Sequence, residues 1–143
     1  MFKFRLASIR RLYEYKEKRC QEEVGQCIAR LRLAEQKQGE LEQTVKEIQK
    51  ELARVQEGNV SLTAVMVNSY YLEHLQELLA MQKNLVAQRS TELREAQGRL
   101  REAVKNRKIM NKIQEKQYRR FLLEENRREQ IFIDELALAA RRR

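Results

Sequence analysis

The side chains that most often catalyse reactions or bind metals are scarce in this 143-residue sequence. It has one histidine, His74, and two cysteines, Cys20 and Cys27. On one helix the two cysteine Cα atoms would lie roughly 10.5 Å apart, beyond the ~7 Å that a disulfide can bridge. No glycine-rich phosphate loop, metal-ligand spacing or Ser/His/Asp set accompanies them. We therefore expect no enzymatic activity, no metal and no cofactor, and two thiols buried between helices.

Basic side chains are the other groups that could do chemistry, through their charge. Lys and Arg number 30 against 21 Asp and Glu, for a formal net charge of +9. Four of them follow one another at helical steps of four, three and four, and so form one outward stripe: Arg101, Lys105, Lys108 and Lys112. The N-terminal segment is also basic and includes Arg10, Arg11 and Lys18. Such surfaces attract nucleic acid, anionic membrane or acidic protein.

The elements that position these groups are two long helices. The chain has no proline, only four glycines and 36% charged residues, a composition typical of coiled coils. The one turn signal is Glu57–Thr63, where Gly58 and Asn59 readily adopt positive φ and Ser61 or Thr63 can cap a new helix. We predict one coiled-coil domain, residues 1–143, with helix one at about 4–57, a turn at 58–61 and helix two at about 62–139.

Both helices carry a seam, the row of residues that faces the other helix. Alternating steps of three and four predict it. In helix one it comprises Val24, Cys27, Leu31, Ala34, Gln38, Leu41, Val45, Ile48, Leu52 and Val55; in helix two it comprises Leu72, Leu75, Leu79, Gln82, Val86, Arg89, Leu93, Ala96, Leu100, Ala103, Arg107 and Met110. Before Val24 the predicted seam is Phe2, Leu6, Ile9, Tyr13, Lys16 and Cys20, and its last steps indicate a stutter at Lys16–Cys20–Val24.

The predicted fold is all-α, an antiparallel two-helix coiled-coil hairpin with a longer, overhanging second helix. Facing residues then have numbers that add to about 118, which permits a buried Gln38–Gln82 polar layer and brings the two basic segments together. Helix two is expected to be unpaired after about residue 118. Because an unpaired helix cannot bury its own apolar side chains, the tail is a predicted partner site, with Phe121, Leu122, Phe132 and Leu136 as its contacts.

Several short motifs lie at the start, the middle and the end of the chain. It opens with Phe2-Lys-Phe-Arg-Leu6 and Glu14-Tyr-Lys-Glu-Lys18, and helix two starts with Tyr70-Tyr71-Leu72-Glu73-His74-Leu75. It ends with Glu125-Asn126-Arg127 and Asp134-Glu135-Leu136-Ala137. Together these motifs resemble the FliJ family of the flagellar type III export apparatus, and the similarity covers nearly the full length.

The resemblance implies a stalk-like coiled coil that docks in and activates the hexameric export ATPase, links it to the membrane export gate, and escorts export chaperones. It implies that Tyr71 and Leu75 contact the gate, whereas Glu47 and Glu51 replace the aromatic residues of the family on helix one. Combined with the charge pattern, it implies that Arg101, Lys105, Lys108 and Lys112, with Arg10, Arg11 and Lys18, contact the ATPase. We expect a cytoplasmic protein, peripheral at the membrane-bound apparatus and monomeric when free.

Three alternatives stay open at the level of sequence. The related stalk proteins of injectisome type III secretion share the architecture. A nucleic-acid-binding coiled coil is compatible with the charge, although aromatic residues do not alternate with the basic ones as a single-strand platform requires; no nucleic acid is expected. A structural homodimer could use the tail as its interface.

Overall fold

Two long helices make up the computed structural model. It describes residues 1–58 and 61–143, except that only the backbone of Gln56 is described. Helix α1 is Ala7–Gln56 and helix α2 is Leu62–Arg141. The predicted all-α hairpin fold is confirmed. Helix α1 begins three residues later than expected, and α2 ends two residues later.

Helix α2 begins directly after Ser61. The carbonyl of Ser61 accepts hydrogen bonds from the backbone amides of Ala64 and Val65, at 3.1 and 3.3 Å. Of the two predicted caps, Ser61 therefore occupies the N-cap position. Gly58 does not adopt positive φ, so its role in the turn does not require a left-handed backbone. Asn59, the other predicted turn residue, lies outside the described residues.

The chain divides into two compact units. The central unit is Cys20–Arg99 and the terminal unit combines Met1–Arg19 with Leu100–Arg143. Each unit contains a segment of α1 and a segment of α2, so each has its own helix–helix interface.

In the central unit the interface is largely apolar. Its buried side chains are Cys27, Ala34, Val45, Leu75 and Ala96, all at predicted seam positions. Gln82 donates a hydrogen bond to the carbonyl of Ala34 at 2.9 Å, and Arg99 donates one to Glu23 at 2.6 Å. The residue numbers of these pairs add to 116 and 122, so the segments are antiparallel and the expected 118 lies between them.

Two polar groups of the central unit have partners other than those expected. Gln38 donates to the carboxylate of Glu42 at 2.9 Å, and Gln82 is occupied by the Ala34 carbonyl. The predicted Gln38–Gln82 layer is therefore wrong as a direct pair, because Gln38 bonds within α1 and Gln82 bonds across the interface to a backbone carbonyl. The hydrogen bond from Arg99 to Glu23 raises the pKa of that guanidinium.

In the terminal unit the interface is partly polar. Arg10 donates to Gln114 at 2.5 Å, and Arg107 donates to the carboxylate of Glu17. Only Ala103 and Met110 are buried apolar residues of this unit among those described. At its end the ring of Phe2 packs against Tyr118 and Phe121, with centroids 5.2 and 5.5 Å apart.

The predicted seam before Val24 needs a correction. Ile9 and Lys16 are exposed, whereas Arg10 and Glu17 are half-buried between the helices. With Glu17 in place of Lys16, the steps to Cys20 and Val24 are three and four, so the predicted stutter at Lys16–Cys20–Val24 is absent. The aliphatic stems of long charged side chains can lie along an apolar surface, which is why polar residues occupy these positions.

Candidate partner-binding surfaces

The net charge is concentrated in one unit. The terminal unit has twenty Lys and Arg against nine Asp and Glu, a formal charge of +11. The central unit has ten against twelve, a charge of −2. The excess of basic residues over the whole chain therefore belongs entirely to the terminal unit.

The predicted basic stripe is an exposed surface of α2. Arg101, Lys105, Lys108 and Lys112 are all exposed, and together with Val104 and Ile109 they line one shallow groove. Four positive charges thus surround a small apolar floor. This arrangement suits a partner that offers carboxylates around an apolar contact, since rim charges steer association and apolar contact holds the complex.

The three N-terminal basic residues predicted to assist the stripe differ in availability. Arg11 and Lys18 are exposed. Arg10 is half-buried; it binds Gln114 and lies 3.6 Å from the carboxylate of Glu14. Its Nε is buried without a hydrogen bond. The structure therefore uses Arg10 within the terminal unit, and leaves Arg11 and Lys18 to solvent.

The predicted tail contacts are exposed except at their start. Phe121 is half-buried against Phe2, so pairing extends about three residues farther than expected. Leu122, Phe132 and Leu136 are exposed. Every residue from Asn126 to Arg143 is exposed, and the tail therefore presents large apolar side chains to solvent.

The two residues predicted for the export gate lie in different environments. Tyr71 is 46% exposed, whereas Leu75 is 5% exposed and belongs to the core of the central unit. Leu75 is buried because it lies between Leu72 and Leu79 in the seam, whereas Tyr71 precedes the seam position Leu72 by one residue. The structure assigns Leu75 to the seam rather than to a surface patch.

Tyr71 instead belongs to a second row on α2. Val67, Tyr71, Leu78 and Met81 are exposed large apolar residues, and His74 lies among them. Leu85, which continues the row, lines a shallow groove with Leu78, Met81 and Leu41 of α1. The steps of four, three, four, three and four from Val67 to Leu85 form a heptad pattern beside the seam. We call these residues the apolar row.

Two features of the described residues bear on other kinds of site. No group of three or more His, Cys, Asp and Glu is placed to hold a metal ion among residues 1–58 and 61–143. Within the same ranges, neither helix contains a segment long and apolar enough to cross a bilayer.

Comparison with known proteins gives one family. The family model described as "Flagellar FliJ protein" matches residues 2–143. The chain belongs to the FliJ family. A solved structure of a YscO homologue from Chlamydia trachomatis is similar to it, with a TM-score of 0.77 and 19% identity over 99% of this chain and 96% of that one. No curated protein sequence matches it.

FliJ membership confirms the resemblance read from the short motifs and makes the chain a protein of type III export. The family is not known for enzymatic activity. The likeness to the YscO homologue, at 19% identity, concerns the fold over nearly the whole of both chains.

Sequence reasoning missed the apolar row and two polar pairs between the helices. The heptad spacing of the apolar row is visible in the sequence, but it runs beside the stronger repeat of the seam on α2. The polar pairs Arg10–Gln114 and Glu17–Arg107 left no such signal, because charged residues at seam positions break the apolar pattern that reveals a seam.

Proposed function

We propose that this FliJ protein is a stalk-like component of the flagellar export apparatus, which docks in the hexameric export ATPase and activates it through its terminal unit. The observation that supports this is the charge: +11 on the terminal unit against −2 on the central unit. A field of this sign accelerates association with an acidic surface and orients the chain, so that the terminal unit arrives first.

The docking contact in this proposal is the basic stripe with Arg11 and Lys18. All six side chains are exposed, and Val104 and Ile109 provide the apolar floor between the stripe residues. Arg10 takes an indirect part, since it holds the N-terminal segment on α2 through Gln114.

Hydrolysis of ATP by the purified hexameric export ATPase tests this role. Wild-type chain should stimulate turnover, and R101E/K105E/K108E/K112E should lose most of that stimulation, at least about fivefold at low salt. The matched control, R32E/K37E/K46E/K83E, reverses four exposed basic residues of the central unit and should stimulate like wild type. Full stimulation by the stripe variant would contradict the proposal.

The link to the membrane export gate is assigned to the apolar row. Tyr71 lies in this row with Leu78 and Met81, and buried aromatic and Met side chains are common anchors of protein interfaces. Y71S/L78S/M81S should lose binding to the cytoplasmic part of the gate in a pull-down. L33S, an exposed leucine on α1, is the control, and equal binding by both variants would remove this assignment.

Escort of export chaperones and a cytoplasmic location at the membrane-bound apparatus complete the proposal. Both rest on FliJ membership. Pull-down of cargo-free export chaperones by the wild-type chain tests the first, and absence of any captured chaperone would count against it. Fluorescence imaging of a tagged chain in cells with and without the export gate tests the second.

The basic surface also invites a test against nucleic acid. Phosphate-driven binding falls steeply as salt rises, so a gel shift with mixed-sequence DNA and RNA at physiological salt should show no complex. A complex that persists there and is lost in the stripe variant would favour the nucleic-acid alternative.

A further inference from the structure

The face of α2 that packs on α1 continues into the exposed tail. In the terminal unit the half-buried residues of α2 include Gln114, Gln117, Phe121 and Glu125, at helical steps of three and four. The same spacing leads on to Phe132 and Leu136, which are exposed. The tail therefore continues the face of α2 that α1 covers earlier along the helix. No described segment of α1 is paired with this face in the tail.

The order of charges along this tail is self-complementary. Residues 121–143 contain five Arg and five Asp or Glu, so their net charge is zero, unlike the rest of the terminal unit. Acidic Glu124 and Glu125 precede the apolar centre, and basic Arg141 and Arg142 follow it. Between them the order is reversed: basic Arg127 and Arg128 come before acidic Asp134 and Glu135.

An antiparallel pair of two such tails places opposite charges together twice. A helix turns by about 100° per residue, so Glu124, Arg128, Glu135 and Arg142 lie on one flank of the face that carries Phe132 and Leu136. When residues near 132 cross, Glu124 of one copy lies near Arg142 of the other. In the same register Arg128 lies near Glu135 of the other copy, whereas Arg127, Asp134 and Arg141 lie on the side of the helix away from the interface. In a parallel pair, each charged residue would instead lie beside the same residue of the other copy, so that like charges would meet. Opposite charges across a helix interface select partner and orientation in this way.

Zero net charge argues against two other occupants. An anionic membrane binds amphipathic helices that have a basic polar face, whereas Glu125 and Glu129 lie on the same face as Phe132 and Leu136. An acidic protein surface would be repelled by the same carboxylates.

We propose that the tail, residues 121–143, pairs antiparallel with the tail of a second copy of this chain, with Phe132 and Leu136 at the centre. The pair covers apolar surface that would otherwise face solvent. Its formation depends on concentration, in contrast to the monomer expected from the sequence. This inference goes beyond the proposed function, because it concerns the chain on its own and requires no ATPase.

Sedimentation velocity of the full-length chain over a wide concentration range tests the pairing. Wild type should shift from a 17.2 kDa monomer toward a dimer as concentration rises. F132D/L136D should weaken the dimer at least about a hundredfold, since truncated central anchors dominate interface energies. L62D/M66D changes two exposed apolar residues of the central unit and should dimerise like wild type. A wild-type chain that stays monomeric, or a dimer that survives in F132D/L136D, overturns the proposal.

Charge exchange tests the orientation. E124R/E135R and R128E/R142E each give the flank charges of a single sign and should each weaken dimerisation by about tenfold at low salt. An equimolar mixture of the two variants, and the chain that carries all four changes, should both regain it. Circular dichroism should show unchanged helix content, since Glu124, Arg128 and Glu135 are exposed residues of α2 and Arg142 is exposed just beyond its end. Unchanged dimerisation in the two separate variants indicates a parallel or unrelated interface and overturns the antiparallel assignment.

Discussion

The central and terminal units join the same two helices with different side chains. In the central unit, Cys27, Ala34, Val45, Leu75 and Ala96 are buried, and the surface charge is nearly balanced. In the terminal unit, Arg10 with Gln114 and Glu17 with Arg107 occupy interface positions, and the charge is strongly positive.

This difference indicates that the central unit mainly stabilises the fold and that the terminal unit mainly offers groups to a partner. Apolar burial contributes about 25 cal/mol per Å², so the apolar interface stabilises the central unit. Partly buried ion pairs contribute little net stability but fix the register of two helices. The terminal unit thus has a defined register, a weaker core and most of the exposed groups that a partner could bind.

The largest expected effect is at the apolar interface of the central unit. Leu75→Ala should lower the free energy of unfolding by about 2–3 kcal/mol, because it removes a 5% exposed side chain and leaves a cavity. Leu123→Ala, at a 69% exposed tail position, should cost less than about 0.5 kcal/mol. Urea unfolding followed by circular dichroism measures both, and equal losses would mean that the units do not differ as described.

A smaller effect is expected at the polar interface of the terminal unit. Glu17→Ala should cost about 1–2 kcal/mol, because Arg107, whose side chain is only 28% exposed, loses its partner. The double change Glu17→Leu with Arg107→Leu should restore wild-type stability within about 0.5 kcal/mol, since an apolar pair avoids the desolvation cost. If the double variant is as unstable as Glu17→Ala, the ion pair contributes more to the fold than to its register.

Two glycines of the central unit offer a gain instead of a loss. Gly25 and Gly39 lie inside α1, and a Cβ added at either would have no neighbour within 4 Å. Gly25→Ala and Gly39→Ala should each stabilise the chain by about 0.5–1 kcal/mol. Thermal unfolding of each variant checks this, and a lower midpoint would show that the helix needs a flexible position there.

The smallest stability effect is expected at the basic stripe. Replacing Arg101, Lys105, Lys108 and Lys112 with Gln should change the free energy of unfolding by less than about 1 kcal/mol, because exposed side chains contribute little to the fold. Loss of mutual repulsion makes a slight gain the expected sign. A loss of more than about 1 kcal/mol, measured by urea unfolding, would show that the stripe serves the fold and not only a partner.

Much of the fold could be predicted because apolar periodicity determines it. Every buried apolar residue among those described was expected in the seam: Cys27, Ala34, Val45, Leu75, Ala96, Ala103 and Met110. The prediction failed where polar residues occupy the interface, as at Arg10 and Glu17, because their burial depends on partners from α2 that lie about a hundred residues away in sequence.

The candidate surfaces were predictable only in part. Exposure of the stripe and of Phe132 and Leu136 followed from helical spacing and from the length of α2. The resemblance placed Leu75 at a partner surface, whereas the structure shows it in the seam. A short sequence motif does not determine which face of a helix another helix covers. The partition of charge between the units required knowing which segments pack together.

Hydrogen exchange of the full chain with and without the hexameric export ATPase tests the central claim, that the terminal unit is the part of this FliJ protein that binds the ATPase. Added protection should fall in residues 1–19 and 100–143, with the amides of Cys20–Arg99 unchanged. Added protection confined to Cys20–Arg99 would contradict the account.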